Sequence, residues 1–443
     1  MANVVTRIAP SPTGAMHIGT VRTALFNYLF AKHHGGMYFV RIEDTDKERN
    51  RPEWVDAIWE DFSWCGLEPD MRYVQSDHRE RHRELLHELV DKNAAYVSKE
   101  PAKDDASRTV EVVRLRNPGT SVTFSDLIRG DVTFDTADLG DFVIARSLDD
   151  PLYHFAVVVD DGDAGVTHVL RAEEHISNTP RQILIQEALE LPRPAYGHIP
   201  LILAPDRSKL SKRKHGASIE NFRSKGYLPD AIINYLALLG WNPGTEQEIF
   251  SRDELIATFD LTQVHKAGAV FDETKLRWFN REYLLKLPDD TFANTAIAVL
   301  KESRPEWNER AMRAIAPILK ERVTTWEDLR TMIQNGELEY FFSSAELKKD
   351  LLPGKGSDSE IASKHLTHVK DFLARVPETD FIKDSIHAAL WDYATKEGRG
   401  AVLWPLRYAL SGKERSSDPF TIASIIGKKE ALQRISHAIE ILA

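Results

Sequence analysis

The hydrophobic and polar positions near the start of the chain alternate between strand-like and helix-like spacing. Apolar, partly β-branched runs at residues 3–8 and 37–44 each predict a short buried strand. Apolar residues recur every three or four positions in segments 20–36, 53–66 and 78–92, which predicts a helix in each. Strands that alternate with helices favour a parallel sheet with helices packed on its faces.

The spacing changes in the middle of the chain and again toward its end. Residues 96–150 are polar with short strand-like runs, which predicts a small inserted β-rich module. The apolar runs at 153–161 and 166–175 predict a return to buried parallel strands. From about residue 227 the spacing is mainly helical, interrupted by a predicted linker or loop at 351–360. A stripe at helical spacing predicts a last helix: Ala431, Leu432, Ile435, Ala438, Ile439 and Leu442.

Composition places the chain among soluble globular proteins. Its 443 residues exceed one ordinary hydrophobic core and favour two to five domains. No run of about 18 apolar residues is present and the first residues lack a secretory signal pattern, so we expect neither a membrane span nor export. The single cysteine, Cys65, cannot form an internal disulfide, which favours a reducing cytoplasm.

Charge is unevenly distributed along the chain. The formal net charge of −11 argues mildly against binding to nucleic acid. Residues 205–225, however, contain seven basic and two acidic side chains. An acidic protein can hold a polyanion through such a patch.

The turn RIAPSPTGAMHIGT (7–20) joins the first predicted strand to the first predicted helix. Two prolines make it rigid, and Gly14 and Gly19 let the backbone approach a ligand closely. The helix N-terminus directs free N–H groups at the turn, and His17 adds a donor, so this is a candidate anion site. The alternative is a plain strand-to-helix turn, since the segment matches neither the Walker A loop nor G-x-G-x-x-G.

A second cluster of charge lies in SKLSKRKHG (208–216). Lys209 and Lys212 are three positions apart with the small Ser211 between them. In a loop, two such ammonium groups can converge on a polyphosphate. The alternative is a solvated basic loop.

These motifs together resemble a known family. HIGT (17–20) and KLSKR (209–213) resemble the two signatures of class I aminoacyl-tRNA synthetases. Five segments resemble the glutamyl branch in order and spacing: RIAPSPTG (7–14), RIEDTD (41–46), YHFAVVVDD (153–161), THVLRAEEHISNTPRQ (167–182) and KLSKRKHGA (209–217). Two more resemble the C-terminal helical part of bacterial glutamyl-tRNA synthetases: PLRYALSG (405–412) and IIGKKEALQRI (425–435). The resemblance covers nearly the whole chain.

The resemblance implies a multidomain fold of the α/β plus all-α type. A class I Rossmann-like parallel-sheet catalytic domain would carry a β-rich insertion and precede a C-terminal helical anticodon-binding domain. The implied parts are the first catalytic half (1–95), a short acceptor-stem-binding module (96–150), the second catalytic half (151–205), a stem-contact domain with the KLSKR loop (206–286) and a helical anticodon-binding region (287–443).

The implied activity is that of a glutamate–tRNA ligase. L-glutamate would be activated by ATP to glutamyl-adenylate and transferred to the 3′ end of tRNA(Glu). The substrates supply the reacting groups, so the protein must position two anions and stabilise the departing pyrophosphate. Mg²⁺ would accompany the ATP, and no zinc is expected because the insertion has no cysteine. The implied enzyme is a cytoplasmic monomer without a membrane partner.

The implied site residues carry over from the matching motifs. Those that would stabilise phosphates during catalysis are His17, Thr20, Lys209 and Lys212. Those that would bind ATP are Gly19, Glu174 and Lys212. Those that would hold glutamate are Arg7, Ala9, Ser11, Glu43, Tyr153 and Arg171. Arginine suits a carboxylate because its planar fork binds bidentately. Arg322 is a candidate reader of the anticodon, and no residue is assigned to a metal.

Alternative interpretations of single residues remain open in the sequence. Glu43 could belong to a solvated acidic turn, and Arg171 could form an ion pair with Glu173 or Glu174. Thr20 stands where the first class signature usually ends in histidine, a departure that the glutamyl branch tolerates.

Four alternative functions are weighed against this one. A glutaminyl-tRNA synthetase typically has glutamate where Ser11 stands. A truncated relative that glutamylates a modified nucleoside lacks an anticodon-binding domain. A non-catalytic nucleic-acid-binding module would not need both the candidate anion site at 7–20 and the KLSKR loop at 209–213. Charging of tRNA(Gln), alone or with tRNA(Glu), is left open.

Overall fold

The computed structural model describes residues 3–45, 49–102, 107–211, 214, 216–344, 346–354 and 357–443. The chain divides into two compact units, unit 1 (1–283) and unit 2 (284–443). Unit 1 combines strands and helices, and the described part of unit 2 is helical.

Unit 1 begins with strands that alternate with helices. Its strands are β1 (Val5–Ile8), β2 (Met37–Ile42), β3 (Met71–Val74), β4 (Ala95–Pro101), β5 (Thr109–Leu115), β6 (Ser121–Asp126), β7 (Gly130–Asp135), β8 (Phe142–Ser147), β9 (Asp150–Pro151), β10 (His168–Ala172), β11 (Ala195–Ile199), β12 (Ile202–Leu203) and β13 (Ala269–Val270). Its helices are α1 (Ile18–His33), α2 (Pro52–Trp64), α3 (Arg79–Asp91), α4 (Tyr153–Asp163), α5 (Thr179–Ala188), α6 (Ile219–Ser224), α7 (Pro229–Leu238), α8 (Arg252–Thr258) and α9 (Glu273–Lys286). The first two predicted strands and first three predicted helices are confirmed.

Two separate sheets with parallel ladders lie side by side in unit 1 and together are called the central sheet here. β1, β2 and β3 pair in that order, and β10 pairs with β11. The chain entering β10 lies beside β1, because the backbone N–H of Thr167 donates to the carbonyl of Val5 at 3.0 Å. The predicted parallel sheet is therefore confirmed.

Alternation along the strands separates two hydrophobic cores. Tyr38 and Val40 of β2 pack in one core with α1, α7 and α8, whereas Phe39 packs in the other with α3 and α4. Because successive side chains of a strand point to opposite faces, Arg41 shares the face of Phe39. Arg7 of β1 lies on that same face, so two arginines lie beneath α4.

The predicted strand at 153–161 is wrong, because these residues belong to helix α4. Its apolar residues Phe155–Val159 are all buried. A short continuous apolar run is typical both of a buried strand and of a helix buried on every side, so spacing alone cannot separate them. The neighbouring prediction of a strand is confirmed by β10.

The β-rich insertion predicted at 96–150 is confirmed as strands β4 to β9. β4, β5, β8 and β9 form an antiparallel sheet. The hairpin β6–β7 continues the central sheet, since Asp126 of β6 pairs with Tyr196 of β11. Phe124 and Ile144 of the insertion share a core with Phe155 of α4. The insertion is therefore built onto the central sheet.

The chain after β11 returns to the turn before α1. The backbone N–H of Ile18 donates to Ala217 at 3.1 Å, and that of Ile219 donates to Met16 at 3.0 Å. β12 pairs with β13 in parallel. These bonds hold residues 217–219, which follow the KLSKR loop (209–213, the lysine loop), close to the N-terminus of α1.

Unit 2 is built from helices with apolar faces. They are α10 (Asp289–Ser303), α11 (Glu309–Arg322), α12 (Trp326–Gln334), α13 (Ser359–Arg375), α14 (Lys383–Glu397), α15 (Arg399–Ser411), α16 (Pro419–Ile426) and α17 (Lys428–Leu442). The predicted stripe on α17 is confirmed, with four members buried and two partly buried. Over the described ranges, no helix combines the length and apolar character that crossing a membrane requires.

Candidate active site

A cavity of about 670 Å³ opens in unit 1 beyond the carboxyl ends of β1, β2 and β10. This is where ligands bind in open parallel sheets. The sequence-predicted residues that line it are Arg7, Ala9, Ser11, His17, Gly19, Thr20, Glu43, Tyr153, Arg171, Glu174 and Lys209. Lys212 lies outside the described residues, and Arg322 belongs to unit 2.

Arg7, which lines the cavity, shares one carboxylate with the fully buried Arg41. Arg7 Nη2 lies 3.1 Å from Asp161 Oδ2, and Arg41 Nη1 lies 2.5 Å from Asp161 Oδ1. Burial acts to raise the pKa of Asp161, but both guanidinium groups outweigh it and lower that pKa below its usual value. Asp161 is therefore ionised at neutral pH and fixes both arginines.

Arg41 also connects this pair to Glu43. Its Nη2 lies 3.1 Å from Glu43 Oε1, and its Nε lies 3.8 Å from Asp160 Oδ2. Burial raises the pKa of Glu43, and Arg41 offsets part of that effect. Glu43 is only 8% exposed, so the alternative of a solvated acidic turn is wrong.

Asp160 is enclosed by hydrogen-bond donors. Tyr73 donates its hydroxyl at 3.0 Å and Gln75 donates its amide at 2.6 Å, while His82 Nε2 lies 2.6 Å away. Sequence reasoning assigned no role to Arg41, Asp160 or Asp161. The available signal was a charged residue inside an otherwise apolar segment, at 37–42 and at 153–161.

Arg171 is held by neutral groups. Its Nε donates to His198 at 3.1 Å, Nη1 to Gln182 at 2.7 Å and Nη2 to Thr179 at 2.7 Å. Burial lowers the pKa of Arg171, and its side chain is 5% exposed. Among the described residues, no carboxylate lies within 4.0 Å of its guanidinium.

The alternative of an ion pair between Arg171 and Glu173 or Glu174 is therefore wrong. Glu173 pairs with Arg129, and Glu174 pairs with Lys209. Arg171 is thus a buried cation that forms no ion pair with a carboxylate of the described residues, and the charge of Asp161 acts on it only from farther away.

The start of α1 also lines the cavity. His17 is the N-cap residue, and its Nδ1 accepts from the backbone N–H of Gly19 at 2.9 Å. The proton of the neutral ring is therefore on Nε2, which makes that atom a donor. A Cβ at position 19 would lie 2.9 Å from His17 Nδ1, so this close approach requires glycine. Lys209 and Glu174 here are 61% and 43% exposed in their side chains.

The remaining predicted residues connect the two ends. The backbone N–H of Glu43 donates to the carbonyl of Pro10 at 3.0 Å, which joins the end of β2 to the turn containing Ala9 and Ser11. Tyr153 begins α4, and burial raises its pKa with a smaller contribution from Glu43. His175, to which the sequence assigned no role, also lines the cavity.

Arg322 lies at the end of α11 in unit 2. Its Nη2 is 2.7 Å from Glu337 Oε2. It lines a cavity of about 470 Å³ together with Lys413 and Arg415. Within the ranges that the structure covers, no group of three His, Cys, Asp or Glu side chains is arranged as metal ligands would be.

Comparisons with known proteins agree over the whole chain. The family described as tRNA synthetases class I (E and Q), catalytic domain, matches residues 3–105 and 98–278. The family described as anticodon binding domain matches residues 291–439.

Individual relatives match at full length. A glutamate–tRNA ligase of Desulforudis audaxviator is 36% identical and is covered to 97%, with 99% of this chain aligned. One of Aquifex aeolicus is 36% identical with both chains covered completely. The crystal structure of a glutamate tRNA ligase from Elizabethkingia meningosepticum in complex with its amino acid matches with a TM-score of 0.89, at 30% identity and full coverage of both chains.

Proposed function

The chain belongs to the glutamate–tRNA ligase family of class I aminoacyl-tRNA synthetases, and from that premise we propose how its pocket handles each substrate. The enzyme is an aminoacyl-tRNA ligase that joins glutamate to tRNA. In the proposed first step a glutamate α-carboxylate oxygen attacks the α-phosphorus of ATP, and pyrophosphate leaves. In the second step a hydroxyl at the 3′ end of the tRNA takes the glutamyl group and AMP leaves.

Arg171 receives the side-chain carboxylate of glutamate in this proposal. The supporting observation is that Arg171 is a buried cation with three neutral partners and no carboxylate within 4.0 Å among the described residues. Such a charge is costly to bury alone and is stabilised when an anion enters. The uncharged amide of glutamine would leave the charge unbalanced, so Arg171 favours glutamate over glutamine.

Glu43 and Arg7 take part at the same buried end. Glu43 accepts hydrogen bonds from the α-ammonium group of the substrate. The positive charge of that group would balance the Glu43 carboxylate, whose cost of burial Arg41 offsets only in part. Arg7 contributes to the glutamate carboxylate more weakly than Arg171, because Asp161 already pairs with it. Ala9, Ser11 and Tyr153 complete the pocket by their position along its wall.

The start of α1 and the lysine loop hold the nucleotide. Gly19 and Thr20 at the start of α1 line the cavity, where the positive end of the helix dipole favours phosphate oxygens. His17 Nε2 donates to the phosphates, and Lys209 and Lys212 balance the charge that builds on the pyrophosphate. Glu174 accepts from the ribose.

Magnesium enters with ATP as part of the substrate in this proposal. Bound to the triphosphate, it would supply positive charge to the phosphate oxygens. A cysteine-based zinc site in the insertion is not proposed, because Cys65 is the only cysteine and precedes it.

The tRNA contacts follow the parts inferred from the sequence. The proposed parts are catalytic halves 1–95 and 151–205, an acceptor-stem module 96–150, a stem-contact domain 206–286 and an anticodon-binding region 287–443. The match of residues 291–439 to the anticodon binding domain family supports the last of these. Arg322, beside Lys413 and Arg415, supports an anionic ligand there. A monomeric state and residence in the cytoplasm stay predictions.

Aminoacylation tests this proposal directly. The purified chain is incubated with ATP and labelled glutamate, with tRNA(Glu) and tRNA(Gln) in separate reactions. We expect base-labile label on the 3′ end of tRNA(Glu). Label on tRNA(Gln) as well would define a non-discriminating ligase. Absence of 3′-linked label in both reactions would reject the proposed function.

A further inference from the structure

The hydrogen bonds behind Arg171 lead into the inserted module. His198 of β11 lies directly opposite Arg171 of β10 in the parallel ladder. The other ring nitrogen of His198, Nδ1, lies 2.6 Å from Oδ2 of Asp126 at the end of β6. Asp126 is 72 positions away in sequence, and both side chains are buried.

The chemistry of these contacts assigns the proton on the histidine. Burial acts to raise the pKa of Asp126, but the bond from His198 and two backbone N–H groups lower it, so the carboxylate is ionised and can only accept. The proton therefore lies on His198 Nδ1. Burial lowers the pKa of His198. The charge of Arg171 adds to this lowering and Asp126 opposes it, and because the pKa stays below its usual value the ring is neutral. Its Nε2 is then an acceptor, as the Nε–H of Arg171 at 3.1 Å requires.

The other tautomer would not fit this arrangement. A proton on His198 Nε2 would face the Nε–H of Arg171, placing two donors 3.1 Å apart. Thr179 adds a constraint, because its hydroxyl accepts from Arg171 Nη2 at 2.7 Å and lies 3.1 Å from the same His198 Nε2. His198 Nε2 is thus the acceptor for Arg171 Nε, while Thr179 and Gln182 hold the two terminal nitrogens.

We propose that Asp126, a residue of the β-rich insertion, positions the glutamate-binding guanidinium of Arg171 by holding His198 in the Nδ1-protonated tautomer. The inserted module therefore takes part in amino-acid selection. This inference rests on the proposed role of Arg171 and adds Asp126 and His198 as positioning residues, since neither lines the cavity itself.

The isosteric variant Asp126→Asn tests the tautomer. The asparagine oxygen keeps accepting from the backbone N–H groups of Ile128 and Arg129, which Asp126 Oδ1 does now at 2.9 and 2.8 Å. Its amide N–H would instead face His198 Nδ1 and drive the proton to Nε2, and the contact from the backbone N–H of His198 to Oδ2 at 3.1 Å would be lost as well. Losing one hydrogen bond to a charged group corresponds to about a tenfold rise in the KM for glutamate, with kcat changed little. Preference for glutamate over glutamine falls with it.

Two substitutions of His198 separate positioning from packing. His198→Gln keeps an oxygen acceptor for the Arg171 Nε–H and is expected to retain the KM for glutamate and the selectivity. His198→Leu removes the acceptor and is expected to behave like Asp126→Asn. Asn234→Asp is the matched stability control, because Asn234 is buried and bonded to the backbone of Glu248 and Phe250 without lining the cavity.

All variants are assayed with tRNA(Glu) present, and their melting temperatures are measured in parallel. A raised KM for glutamate in Asp126→Asn and His198→Leu, absent in His198→Gln and Asn234→Asp, supports the inference. An unchanged KM, or a loss confined to kcat or melting temperature, overturns it. Arg171→Gln tests the proposed role of Arg171 separately from the positioning inference. If this variant leaves the KM for glutamate unchanged, the proposed role of Arg171 is wrong. If it is the only variant that raises that KM, the positioning inference alone is wrong.

Discussion

The two ends of the cavity hold their charges in different ways. At the glutamate end Arg7, Glu43 and Arg171 are each less than 10% exposed, and hydrogen bonds fix them before a ligand arrives. At the nucleotide end Lys209 and Glu174 are largely solvent-exposed and pair with each other. Buried charges give strong, specific interactions, whereas exposed pairs are screened and weak. Under the proposed function, selection of the amino acid would therefore depend on preorganised charges, and nucleotide binding would depend on exposed cations that become ordered only when the ligand binds.

Removing one loop cation should have the largest effect. Lys212→Ala is expected to lower kcat by about 10²–10³, because it deletes a cation at a charge that develops in the transition state. The KM for glutamate should change little, since glutamate binds at the other end. Steady-state aminoacylation with varied glutamate measures both.

Lys214→Ala is the matched control for Lys212→Ala, as it removes an exposed cation from the same loop. It is expected to keep kcat near the unmodified value. A Lys212→Ala enzyme that keeps its turnover and binds glutamate poorly would reject the assignment to the nucleotide end.

Removing the unbalanced cation of the glutamate end should have the next largest effect. Arg171→Gln is expected to lower kcat/KM for glutamate by about 30- to 100-fold, since one partner of a buried charge pair is lost. Arg7→Gln should lower the preference for glutamate over glutamine less, because Asp161 already balances Arg7. Competition between labelled glutamate and glutamine in activation measures the preference.

Arg434→Gln is the matched control for Arg171→Gln. Arg434 is also a buried arginine, bonded at 2.6 Å to the backbone carbonyls of Tyr340 and Leu410 in unit 2. It is expected to change the melting temperature and leave the KM for glutamate unchanged. Unaltered selectivity in both Arg171→Gln and Arg7→Gln would show that the buried end does not exclude glutamine through these arginines.

Breaking the exposed pair should have a smaller effect. Glu174→Gln releases Lys209 for the phosphates, and an exposed ion pair contributes about 0–1 kcal/mol. The KM for ATP is therefore expected to fall by less than about fivefold. Glutamine keeps an amide oxygen that can accept from the ribose, so a rise in that KM would instead mean that the ribose contact requires the negative charge of Glu174.

Lowering the pH should gradually lower the free energy of unfolding through two histidines of unit 1. Burial lowers the pKa of His154 and of His175 to about 4 each. Unfolded histidine takes up its proton near pH 6.5, so the unfolded state binds more protons between the two values. Stability should therefore fall as the pH is lowered through that window, while protonation of Glu43 acts in the opposite direction.

The variant His154→Asn isolates this effect. Its melting temperature should fall less than that of the unmodified chain between about pH 7 and about pH 5. Equal losses for both proteins would mean that His154 is protonated in the folded state as well.

Local patterns predicted most elements and the residues of the cavity wall. Spacing identified α1, β2 and the insertion, because each depends on its own periodicity. It misassigned α4, whose apolar run is buried on all sides and has no polar face to reveal its period. The sequence-predicted residues along the cavity were found through motifs, which lie on the turns that follow parallel strands.

Partners far apart in sequence could not be predicted in this way. Arg7 and Asp161 are 154 positions apart, and nothing local to either indicates the other. Glu173 and Glu174 were equally reasonable partners for Arg171 until the sheet placed Arg129 and Lys209 beside them. Which charges are balanced, and which are left for a ligand, is a property of packing.

The sequence by itself determined the class of fold, the family and the chemical kinds of side chain available to two anionic substrates. It could do so because periodicity and short motifs are local. Only the tertiary structure decided that Arg171 has neutral neighbours, that Arg41 and Asp161 fix Arg7, and that an inserted strand places Asp126 behind the glutamate pocket. These depend on strand parity and on ladder register, which bring distant residues within hydrogen-bond distance.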